Sequence, residues 1–85
     1  MLLCIMQHMN AAQCLMARVG LGWTREQLAE KAGVHRHTVA RFEGSQTVNK
    51  STAKLIQMTL EAAGVVFVDD DGPFGPGVRL PKKSA

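Results

Sequence analysis

The chain contains no nucleophile elbow, no glycine-rich phosphate loop and no HExxH pair in its 85 residues. The spacings that build hydrolase, nucleotide and zinc-protease sites are therefore missing. A single small domain also leaves little room for a cleft, so no enzyme is expected. Cysteine is scarce: Cys4 and Cys14 are the only two, in a methionine-rich chain. With no cleavable leader in view, that usage points to a reducing cytoplasm. Cys4, His8 and Cys14 are irregularly spaced and lack a fourth ligand, so neither a metal nor a cofactor is expected. Long apolar runs are absent too. The opening MLLCIM is only six residues long and has no basic start, which makes it neither a signal peptide nor a membrane span. No internal repeat is visible.

What the chain does carry is positive charge in one place. Its formal net charge is +3, with seven Lys/Arg against four Glu over residues 1–64 and three against three Asp over residues 65–85. The excess lies in the part that reads as helical. A domain this small buries too little surface to be secure alone, so dimerisation is expected.

Local punctuation divides the chain. Residues 1–9 form an N-terminal extension, of which MLLCIMQH looks dispensable. Asn10 with Gln13 reads as a capping box, and Met9 with Cys14 as a hydrophobic staple, for a first helix of about Ala11 to Val19 closed by Gly20 and Gly22. Thr24 with Gln27, and Trp23 with Leu28, repeat both devices and predict a second helix from Arg25 to about Ala32. A third helix, about Arg36 to Glu43, has only His35 at its cap position, where Ser, Thr, Asp or Asn is usual. Asn49 or Ser51 caps a fourth helix that reaches Ala63, with Leu55, Met58 and Ala62 as its core stripe, flanked by Ile56 and Leu60, and Gly64 beyond its end. After residues 10–64 the period changes. Val65 to Val68 is a short strand-like run, Asp69 to Gly77 is turn chemistry, and Gly77 to Leu80 is a return strand. Residues 65–80 thus predict a β-hairpin, and residues 81–85 a basic tail. The fold class expected is mainly α: four helices with a C-terminal two-stranded β element.

The stretch WTREQLAEKAGVHRHTVARFEG holds the residues that two short helices need in order to cross sharply. Ala29 permits close approach, Gly33 allows the reversal, and Val39 with Phe42 forms the face that packs back on Leu28. Arg36, His37, Ala40 and Arg41 then share an opposite arc of about 140°. Most exposed arginines are simply solvated. A helix anchored by one face and basic on the other, however, has the design of an element that enters a DNA groove. His35 and His37, two apart, are expected to point to nearly opposite sides of the helix and so share no ion.

These residues resemble the lambda-repressor-like XRE (Cro-type) helix-turn-helix regulators over Asn10 to Gly64, about two thirds of the chain. The resemblance rests on Ala29 and Gly33 as AxxxG, GV before the third helix, Val39 and Phe42, and the FEG ending. The tail LEAAGVVFVDDDG…GPGVRL further resembles small bacterial members with a terminal strand pair. The resemblance implies a structural ion pair between Arg18 and Glu43, and a transcriptional regulator, a repressor by expectation, working as a homodimer on double-stranded palindromic DNA. Base reading is then expected of Arg36, His37, Ala40 and Arg41, since the arginine fork and the imidazole match guanine acceptors and Ala40 a thymine methyl. Phosphate contacts are expected of Thr24, Arg25, His35, Thr38, Gln46, Lys50 and Ser51. Val65, Val66, Phe67 and Val68 offer an uncharged edge strand for dimerisation, anchored by Phe67. The alternative is an antitoxin or anti-activator that binds a toxin or activator protein through MLLCIM or the hairpin.

Overall fold

The computed structural model describes residues 9–70 and 72–82. The extension before Met9, with Cys4 and His8, lies outside the described residues. Four helices are followed by a two-stranded antiparallel sheet: α1 (Ala11–Leu21), α2 (Arg25–Ala32), α3 (Arg36–Glu43), α4 (Lys50–Ala62), β1 (Val66–Val68) and β2 (Gly77–Arg79).

The helix starts are set locally. Both capping boxes are closed: Asn10 Oδ1 accepts from the Gln13 N–H while Gln13 Oε1 accepts from the Asn10 N–H, and Thr24 and Gln27 do the same. Both staples are seated, with Met9, Cys14 and Leu28 buried and Trp23 packed against the core. The end of α1 differs from expectation. Gly20 lies inside the helix, which runs on to Leu21 and turns at Gly22. A Cβ on Gly20 would come within 2.5 Å of Leu80 Cδ1, so this glycine leaves room for the Leu80 side chain just past β2 rather than ending the helix. At the α2–α3 reversal Gly33 has φ of +74°, and the Val34 N–H returns to the Ala29 carbonyl at 3.0 Å. This left-handed closure is one that glycine adopts without strain.

The core joins all six elements: Cys14 and Ala17 from α1, Leu28, Ala29 and Ala32 from α2, Val39 from α3, Ile56 and Leu60 from α4, and Val65, Phe67 and the half-buried Val78 from the hairpin. Two expectations are corrected by it. On α4 the buried residues are Ile56, Gln57 and Leu60, whereas Leu55 and Met58, expected in the core stripe, are 46% and 52% exposed. In the hairpin, Val65 and Phe67 are 3% and 1% exposed because their side chains fill this chain's own core. Phe67 is therefore not available as the anchor of a dimer contact. Of the four residues expected at a dimer interface, Val66 is exposed and Val68 half-buried.

One buried side chain fixes the hairpin on the helices. Gln13 is fully buried, and its Nε2 donates to the carbonyls of Val68 and Gly77, both at 2.9 Å. Those residues face each other across the strand pair. The side chain that caps α1 thus also closes the end of the sheet. That is a reason a two-stranded hairpin, marginal by itself, is ordered here.

Candidate nucleic-acid interface

α3 is held from behind and open in front. Val39 is completely buried, and Phe42 packs half-buried beside it. Arg36, His37 and Arg41 are exposed and Ala40 is half-buried, so all four expected base-reading residues share the outward arc. His35 does cap the helix: its Nδ1 accepts from the His37 N–H at 3.1 Å. This overturns the expectation that His35 and His37 point apart. Because His35 has extended backbone, its ring folds back, and the two ring centroids lie 4.6 Å from each other. The ordinary i, i+2 divergence applies only where both residues are helical.

Past Glu43 the chain turns through Ser45 at φ of +64°. A polar cleft opens between the end of α3 and the start of α4, lined by Thr38, Arg41, Thr47, Val48, Asn49 and Thr52. Thr38 was expected near DNA phosphate; Thr47, Asn49 and Thr52 were not, since they share no periodicity with α3 and meet it only through the fold. Arg41 reaches across the cleft, its Nη2 donating to the Thr47 carbonyl at 3.5 Å. Gln46, Lys50 and Ser51, each next in sequence to a residue lining the cleft, are exposed. The start of α4 is also distinct electrostatically. Asn49 makes no side-chain cap hydrogen bond, and the first turn carries Lys50 and no acid. The first N–H groups of that helix therefore meet solvent with the positive end of its dipole.

At α2 the expected phosphate residues are arranged differently from one another. Thr24 is exposed, with its Oγ1 accepting from the Gln27 N–H, so its hydroxyl hydrogen remains available to an anion. Arg25 instead turns toward the protein, its Nε donating to Glu43 Oε1 at 3.1 Å while its side chain stays 52% exposed. Arg36 makes a loose contact with Glu26 at 3.8 Å between two exposed side chains. Such a surface pair holds little energy and yields readily to a better partner.

Glu43 is the hub behind this surface. Its side chain is 3% exposed and takes a bidentate contact from Arg18, Nε to Oε2 at 2.7 Å and Nη2 to Oε1 at 3.2 Å. Arg18 Nη1 also donates to the Trp23 carbonyl at 2.9 Å. The last residue of α3 is thus tied to α1, to the α1–α2 turn and, through Arg25, to the start of α2. Cys14 Sγ donates to Glu43 Oε2 at 3.7 Å. Its thiol is pushed up to about 12, chiefly by burial and then by the Glu43 charge and that hydrogen bond, with Arg18 pulling the other way. At neutral pH Cys14 is therefore a protonated core residue rather than a nucleophile.

Among the described residues no group of three or more His, Cys, Asp or Glu could hold a metal ion, and no helix is long and apolar enough to cross a membrane. A helix-turn-helix family model matches residues 16–61, more than half of the chain. A comparison with curated proteins gave no match.

Proposed function

Because the chain belongs to the XRE-type helix-turn-helix family of DNA-binding regulators, we propose that it is a cytoplasmic transcriptional repressor that binds a palindromic operator as a homodimer. The observation that carries this is the mounting of α3: Val39 and Glu43 are locked into the protein while Arg36, His37 and Arg41 stand together in solvent. A helix held on one side and basic on the other is matched to the major groove, where an arginine fork reads guanine. The start of α4, with Gln46, Lys50 and Ser51, and the Thr24 hydroxyl at α2 supply phosphate contacts that set register but not sequence. Arg25 contributes chiefly by holding Glu43, and secondarily to phosphate. One α3 reads too few base pairs for specificity, which favours a two-fold assembly on DNA.

The experiment is selection of bound sequences from a random duplex pool, then titration of variants on the selected and on a scrambled duplex. Arg36→Ala should lose about 1 to 3 kcal/mol on the selected site and relax one position, whereas Lys50→Ala should weaken both duplexes alike and flatten the salt dependence. Equal losses on both duplexes from Arg36→Ala would refute base reading by this helix.

A further inference from the structure

α4 has two apolar faces, and the core uses only one. Ile56 and Leu60 are fully buried, while Leu55, Met58 and Ala62 lie exposed about a third of a turn or more away. They fall at i, i+3 and i+7, the a/d spacing of a helix that packs against another helix. The stripe borders an apolar groove whose far wall is Trp23 and the stem of Lys31, with Lys31 Nζ 5.0 Å from the Trp23 ring centroid.

We propose that the outer face of α4 is an interface with a second copy of this chain, packed antiparallel, with Met58 of each copy set into the groove of the other. The occupant is identified by charge. Lys54 and Glu61, both exposed, flank the stripe on the same side and seven residues apart. Gln57 Nε2 donates to Glu61 Oε2 at 3.1 Å, which fixes the carboxylate on that flank. A partner that runs antiparallel must bring an acid opposite Lys54 and a base opposite Glu61. A two-fold axis perpendicular to α4 keeps each flank on its own side and reverses its direction, so the same helix supplies both. The apolar stripe obeys the same symmetry, since Leu55 meets Ala62 of the copy and Met58 meets Met58. Methionine, unbranched and flexible, suits a knob that must fit its own image.

α4 has 13 residues, a span of about 20 Å. Such a contact lies at the small end of specific interfaces and gives a dimer that depends on concentration. The inference deepens the dimeric part of the proposed function by naming its surface.

Sedimentation equilibrium of the full chain over a concentration series tests it without DNA. The unaltered chain should self-associate to a dimer. Lys54→Glu or Glu61→Lys each places like charges together at two symmetry-related points and should weaken the dimer by about tenfold or more. A mixture of those two variants should form a heterodimer as tight as the original, and the double variant should recover self-association. Met58→Asp should stay monomeric with an unchanged far-UV spectrum. A monomeric unaltered chain, reversals without effect, or a mixture that fails to pair would each overturn the assignment. Should Glu61→Lys fold poorly, the double variant and Met58→Asp decide. Arg36→Ala should dimerise normally, so loss of base reading with an intact dimer would count against the DNA reading alone, and intact base reading with an unaffected Met58→Asp dimer against this surface alone.

Discussion

Removing the two partners of the buried ion pair should have unequal effects, and the inequality follows from geometry. Glu43→Leu strands the Arg18 guanidinium, 11% exposed, with only the Trp23 carbonyl in place of a counter-charge. Loss of one partner of a buried pair costs roughly 3 to 5 kcal/mol. Arg18→Met leaves Glu43 buried, but Arg25 Nε still donates to it at 3.1 Å and the Cys14 thiol at 3.7 Å. A hydrogen bond to a charged group contributes about 1.5 to 3 kcal/mol, so this variant should lose only about 2 to 3 kcal/mol. The double variant removes both buried charges and returns Arg25 to water, and should be milder than Glu43→Leu alone. Urea denaturation of the four proteins at 25 °C measures all three differences and their coupling. Strict additivity, or an Arg18→Met loss equal to or larger than that of Glu43→Leu, would refute the assignment of Glu43 as the shared hub.

Gln13→Leu should cost roughly 2 to 4 kcal/mol despite being more apolar, because it unpairs the Asn10 N–H and the carbonyls of Val68 and Gly77; thermal melts and faster amide exchange in β1 and β2 would show it. Phe67→Asp should unfold the domain rather than yield a helical monomer, since Phe67 is 1% exposed and a core truncation is joined by a buried charge; retention of a native far-UV spectrum would disprove this. Alkaline pH should act through Cys14. Below its ordinary value of 9.0 the thiol is protonated in both folded and unfolded chains and stability is unaffected; from there to about 12 only the unfolded chain ionises, so stability falls with rising pH by up to about 1.4 kcal/mol per unit. Cys14→Ser should remove that slope, a comparison made cleaner by a chain with no tyrosine; parallel pH profiles for the two proteins would rule the effect out.

How much of this was legible in the sequence depended on the range of the interaction. The spans of α2 and α3 and the start of α1 follow from signals within four residues of the helix end: the capping boxes of Asn10 with Gln13 and Thr24 with Gln27, and the left-handed turn at Gly33. The outward arc of α3 is equally local, because the positions of Val39 and Phe42 leave Arg36, His37 and Arg41 the opposite side. Neighbours decided what local order could not. Leu55 with Met58 and Ile56 with Leu60 are comparably apolar stripes on one helix, and only the placement of α2 and α1 selects the second pair for burial. Gln13 reads as a cap, yet the strands that its amide closes are more than fifty residues away. Arg25 reads as a phosphate ligand, yet Glu43 reaches it only once α3 has folded across the start of α2. Phe67 reads as an exposed edge because strand alternation names two faces without saying which of them the helices will cover.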